Sequence, residues 1–106
     1  MLTQIKNFIK NRKITNYFKT NFDKNVLISY IVYPLRFGKS DRHNNQLEVK
    51  AIANVFKNLS YNVDVVFYSS SEKINYEKYD LIFGFGKPFV NSVSSKKKLK
   101  RIFYAT

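Results

Sequence analysis

The segment Val26-Leu27-Ile28-Ser29-Tyr30-Ile31-Val32 is almost uninterrupted by polar residues and rich in β-branched and aromatic side chains. A run of this kind, without polar alternation, predicts a strand buried on both faces, as in parallel sheets. Pro34 ends it. A polar stretch from Tyr33 to Asn44 leads to Leu47, Ala51, Ile52, Val55, Phe56 and Leu59, which predict one stripe of a helix of about four turns. Asn45 followed by Glu48 fits a helix-start capping pair. After a turn at Ser60-Tyr61-Asn62, Val63-Asp64-Val65-Val66-Phe67-Tyr68 predicts a second strand, and residues 69–80 leave room for one short helix after Ser71. Leu81-Ile82-Phe83-Gly84-Phe85-Gly86 predicts a third strand running into a glycine turn. A basic linker at residues 96–100 precedes a fourth strand, Arg101 to Thr106. Upstream, Leu2, Ile5, Phe8, Ile9, Tyr17, Phe18 and Phe22 recur at spacings of three and four. That pattern predicts an amphipathic helix, with a break near Asn11 to Thr15.

Strands alternating with helical segments give an α/β fold: a Rossmann-like open parallel sheet of about four strands with flanking helices. The division predicted is residues 1–24 as a basic amphipathic segment and 25–106 as the domain. Because the last strand ends on apolar residues with no turn or polar tail, the domain is expected to be incomplete at its C-terminal end and to continue in a longer parent. In open parallel sheets, ligands bind beyond the carboxyl ends of the strands where the winding reverses. With the first strand central and the second and third on either side, Arg36, Gly38, Lys39, His43 and Asn45 line one wall of that crevice. Gly84, Gly86 and Lys87 line the other. Those cations suit an anionic diphosphate or a phosphorylated acceptor.

Charge changes the picture less than its size suggests. The 106 residues carry a formal net charge of +12, but it lies at the ends: residues 26–86 are nearly neutral, and residues 87–106 hold six basic side chains and no acidic one. Asn, Lys, Ile, Phe and Tyr make up about half the chain, a bias expected of A- and T-rich coding sequence. With no recognition motif beside the charge, nucleic acid is not the expected partner. An anionic membrane surface met by residues 1–24 is the more fitting use of the basic segment, and packing of that segment on the domain fits better still. No apolar run spans a bilayer and no signal-peptide core is present, so a cytoplasmic protein, at most peripheral to the inner membrane face, is expected. The absence of cysteine and the single histidine, His43, exclude disulfides, thiolate zinc and a histidine metal cluster.

Two local motifs fall short. Tyr33-Pro34-Leu35-Arg36-Phe37-Gly38-Lys39-Ser40 matches a phosphate-binding P-loop except at its first glycine, where Tyr33-Pro34 restricts the backbone and removes an amide. Gly84-Phe85-Gly86 opens a dinucleotide fingerprint whose last glycine is Phe89, so a close backbone turn is the better reading.

Five pieces in order resemble the N-terminal half of a group 1 glycosyltransferase of the two-Rossmann-domain (GT-B) type. They are NVLISYIVYPLRFG, the His43, Asn45 and Glu48 pattern, LSYNVDVVFY, YDLIFGFGKPF and the terminal IFYAT. The resemblance covers residues 24 to 106. It implies a cytoplasmic hexosyltransferase of surface-polysaccharide or lipid-linked glycan synthesis, using a nucleotide-sugar donor and no metal or other cofactor. In such enzymes the N-terminal domain shapes the acceptor side and the C-terminal domain holds the donor. His43, Asn45 and Glu48 carry over as pattern positions without an assigned catalytic role. The alternatives are a noncatalytic Rossmann-like or flavodoxin-like binding module and a basic peripheral membrane protein.

Overall fold

The computed structural model describes residues 11–37, 44–95 and 98–104. Four strands, β1 (Lys24–Tyr30), β2 (Tyr61–Phe67), β3 (Leu81–Gly84) and β4 (Lys100–Phe103), form one sheet in the order β2-β1-β3-β4, with every neighbouring pair parallel. This is the α/β, Rossmann-like open sheet the residue pattern predicts, with β1 in the centre. The connections carry α1 (Tyr33–Phe37), α2 (Asn44–Asn58), a 3-10 turn at Tyr76–Lys78, α3 (Lys87–Asn91) and a second 3-10 turn at Ser92–Ser94.

The period of two along β1 separates two cores. Val26, Ile28 and Tyr30 face α2 and pack with Val49, Ala53, Phe56, Val63, Val65 and Leu81. Leu27 faces the other way, joining Val66, Tyr79, Ile82 and Leu99 under the 69–80 segment. Both faces of β1 are therefore dry, which is why its sequence lacks alternation. Each buried aliphatic side chain contributes about 1.5–3 kcal/mol.

Several expectations need correction. The amphipathic helix does not extend through residues 11–23, which form an irregular strap; residues 1–10 lie outside the described residues. Asn16 and Lys19 adopt φ of 51° and 53°, incompatible with a continuing helix. Ile14, Tyr17 and Phe18 pack on the α2-side core. The strap covers the outer edge of β2: Ile14 and Val65 exchange N–H···O bonds at 2.9 Å each, and the Tyr17 N–H donates to the Val63 carbonyl at 2.8 Å. The buried stripe of α2 is Val49, Ala53 and Phe56 with Ile52 beside it, whereas Val55 and Leu59, expected inside, are exposed. The spacing of four and three residues from Val49 to Ala53 to Phe56 defines the inward face, and Val55 lies off it. The 33–44 stretch, expected as a loop, opens with α1. β4 is shorter than predicted, and Ala105 and Thr106 lie outside the described residues. No helix among the described residues is long and apolar enough to cross a membrane.

Candidate functional site

The winding reverses between β1 and β3, and there the carboxyl ends of the strands meet in tightly packed backbone. Gly84 has φ of 129° and Gly86 φ of 89°. A Cβ on Gly84 would lie 2.0 Å from the Ser29 carbonyl oxygen, and one on Gly86 2.2 Å from that of Tyr68. Only glycine allows this approach. The Ser29 hydroxyl donates to the Phe85 carbonyl at 2.6 Å, while the Phe85 N–H donates to Ser29 O at 3.2 Å and the Lys87 N–H to Tyr68 O at 2.8 Å. The turn is thereby fastened to both β1 and the end of β2. Pro88, at the start of α3, suits a first-turn position where no amide partner is needed.

Aromatic rings line this rim. Tyr68 stacks on Phe85 with centroids 5.0 Å apart, Tyr30 meets Phe85 edge-on at 5.7 Å and Tyr104 at 6.0 Å, and Tyr104 stacks on Phe83 at 5.2 Å. Above them, Glu48 from the second turn of α2 accepts hydrogen bonds from the Tyr30 hydroxyl at 3.1 Å and the Tyr104 hydroxyl at 2.5 Å. Its hydrogen bond to Glu48, then burial and the neighbouring carboxylate, raise the pKa of the Tyr104 phenol. A carboxylate fixed by two phenols over an aromatic wall can accept further hydrogen bonds from a polyhydroxylated ligand whose C–H faces rest on the rings.

The predicted site residues divide accordingly. Glu48, Gly84 and Gly86 come together at the carboxyl ends of the strands, and Lys87 follows directly, its ammonium donating to the Ser71 hydroxyl at 3.3 Å. Glu48 is not a capping partner: α2 begins at Asn44, so Asn45 lies inside the helix, and the Glu48 carboxylate is engaged with the two tyrosines. The Asn45 side chain, Gly38, Lys39 and His43 lie outside what the structure describes. Arg36 is engaged by the strap. Its guanidinium donates to the backbone carbonyls of Arg12 at 2.7 Å and Lys13 at 3.4 Å, fastening the strap. Burial and then the nearby Arg12 charge lower its pKa. Tyr33 and Pro34 stand in α1, so that stretch does not wrap as a phosphate loop.

Sequence reasoning missed Tyr30 and Tyr104 as partners of Glu48, and it missed Asp64. Asp64 is 2% exposed and accepts from the Asn16 N–H at 2.7 Å, the Lys78 ammonium at 2.7 Å and the Tyr79 hydroxyl at 2.6 Å. It locks the strap and the 69–80 segment to β2. A lone charged residue within an apolar strand was the available signal, since a buried carboxylate requires partners. Among the described residues no group of three or more His, Asp or Glu side chains is placed to hold a metal ion. Comparison of the sequence with known protein families, with curated proteins and with solved structures finds no match.

Proposed function

We propose that this chain is the acceptor-side domain of a cytoplasmic glycosyltransferase that moves a hexose from a nucleotide-sugar donor to a glycan or lipid-linked acceptor. The observation that carries the reading is Glu48, held by the Tyr30 and Tyr104 hydroxyls beside the β1–β3 reversal, next to the Phe85-Gly86-Lys87 turn. In this reading the carboxylate accepts from acceptor hydroxyls, the Phe85 and Tyr104 rings carry the apolar face of a sugar, and Lys87 meets a phosphate of a lipid-linked acceptor. Arg36 has no part, because it holds the strap. The resemblance of residues 24 to 106 to group 1 glycosyltransferases supports the same assignment. In that architecture the donor sits on a second α/β domain and transfer needs both domains closed together, so the property this domain is expected to show is acceptor binding.

Titration calorimetry with UDP-glucose, GDP-mannose and short neutral and phosphorylated oligosaccharides tests the proposal. Binding of a saccharide that weakens about tenfold in Glu48→Ala, with nucleotide sugars much weaker, is the expected result. Tight binding of a nucleotide with no saccharide binding would instead favour a noncatalytic nucleotide module.

A further inference from the structure

An aromatic residue stands at the carboxyl end of each of the four strands: Tyr30 closes β1, and Tyr68, Phe85 and Tyr104 directly follow β2, β3 and β4. The parallel register, with Tyr30 opposite Phe67 and Gly84 opposite both Ser29 and Phe103, brings them to nearly one level. Their rings form a row from Tyr104 through Tyr30 and Phe85 to Tyr68, with successive centroids 6.0, 5.7 and 5.0 Å apart. Tyr30 is buried and the other three are partly exposed.

Tyr68 does not serve the core. Of the four rings it alone packs on neither buried cluster, resting instead on Phe85 and on Phe67, whose centroid is 4.6 Å away. Its place is nevertheless fixed by main chain. The Tyr68 N–H donates to Tyr30 O at 2.9 Å, and Tyr68 O accepts from the Lys87 N–H at 2.8 Å. Gly86 lies against it, since a Cβ there would stand 2.9 Å from the Tyr68 Cβ. A partly exposed ring held in this way meets a ligand with little ordering cost.

Hydrogen-bonding groups mark the two ends of the row. Glu48 accepts from the hydroxyls of Tyr104 and Tyr30. At the Tyr68 end, the Lys87 ammonium and the Ser71 hydroxyl lie 3.3 Å apart on exposed residues. A ligand reaching from the carboxylate to the ammonium crosses the faces of Phe85 and Tyr68. A pyranose is about as wide as one aromatic ring, so a single sugar does not cover both.

We propose that Tyr68, Ser71 and Lys87 form a second acceptor subsite, so that the acceptor is a phosphate-linked saccharide of two or more sugar units; this rests on the acceptor reading given above. The outer sugar lies over Phe85 with a hydroxyl on Glu48, the phosphate-bearing sugar stacks on Tyr68, and the phosphate meets Lys87 and the Ser71 hydroxyl. The transfer is then an elongation. The acceptor oxygen bonds to the anomeric carbon of the donor hexose, the bond from that carbon to the nucleoside diphosphate breaks with its electron pair, and the hydroxyl proton passes to water. An earlier glycosyl transfer onto a sugar phosphate must supply the acceptor.

The test titrates the full chain, followed by amide chemical shifts, with a methyl glycoside, the corresponding disaccharide and its 1-phosphate in the glucose and N-acetylglucosamine series. In the series that binds, affinity should rise about tenfold at each step. Tyr68→Leu keeps an apolar cover on Phe85; it should remove the gain from the second sugar and leave the methyl glycoside affinity unchanged. Lys87→Gln should remove only the gain from the phosphate. If circular dichroism shows the Tyr68 variant unfolded, the length dependence of the native chain and Lys87→Gln, which alters an exposed side chain, decide together. Equal affinity for glycoside and disaccharide, or a loss in Tyr68→Leu that is the same for both, would overturn the proposal. Weakening by Glu48→Gln in that case leaves the acceptor reading standing, whereas binding of none of these saccharides removes both.

Discussion

The Tyr104 hydroxyl donates to Glu48 Oε2 at 2.5 Å, joining the residue that follows β4 to α2, the helix that leads from β1 toward β2. With the Tyr30 hydroxyl on Oε1 at 3.1 Å, each carboxylate oxygen has one phenol and retains accepting capacity toward a ligand. Glu48→Gln replaces one acceptor by an NH2 that faces a phenol in the wrong sense. Saccharide affinity should fall about tenfold, while urea denaturation shows a loss of only about 1 kcal/mol, because the site is half-open to water. Unchanged affinity would remove Glu48 from the site.

Gly84 and Gly86 set the shape of the turn beneath that carboxylate. Gly84→Ala places a methyl 2.0 Å from the Ser29 carbonyl oxygen at φ of 129°, so the central strand itself must shift. A loss of about 3 kcal/mol or more in denaturant unfolding is expected, since clash and backbone strain act together. A change within about 0.5 kcal/mol, typical of surface substitutions, would show that the strand end is not packed in this way.

Tyr79 gives the fold an alkaline limit. Burial, then its hydrogen bond to Asp64 and the nearby negative charges, raise the phenol above its ordinary value of 10.0. The unfolded chain loses this proton first, so the contribution is complete below about pH 10 and is lost as pH rises toward the higher native value. Denaturation midpoints should fall above about pH 10, and Tyr79→Phe should show a shallower fall together with lower stability at neutral pH. An identical alkaline slope in the variant would contradict the assignment.

Arg36→Met retains the apolar stem and deletes the donors to the Arg12 and Lys13 carbonyls. Hydrogen exchange at the Ile14 and Tyr17 amides should accelerate, with about 1 kcal/mol of stability lost and saccharide binding unchanged. A selective loss of ligand binding would return Arg36 to the crevice.

Legibility in the sequence followed the range of the interactions. Val26 to Val32 declared a strand dry on both faces, and the alternation of strands with helical segments gave the parallel sheet. The strand-end position of Gly84 and Gly86 was legible because a glycine turn closes an apolar run, whereas the spacing from Asn45 marks Glu48 as a capping partner and does not foreshadow its tyrosine partners. The strap was not legible, since its apolar residues copy a helical spacing while Ile14 and Tyr17 bond to successive positions of β2 and Phe18 lies against the Tyr17 ring and the Lys57 ammonium. The strap contact of Arg36 was not legible because its partners there are backbone carbonyls more than twenty residues away, for which no side-chain pattern exists. Tyr104 joins Glu48 only through the register of β3 with β4, and Asp64 acquires its partners only when the strap and the 69–80 segment have both docked.

Binding of acceptor sugars at the β1–β3 reversal around Glu48 is tested most directly by amide chemical-shift mapping of the chain during titration with oligosaccharides. Saturable shifts concentrated at Glu48, Phe85, Gly86 and Lys87, reduced in Glu48→Gln, are the predicted result. Shifts confined to β4 and the 87–94 segment, or none at saccharide concentrations far above those of the protein, would contradict it.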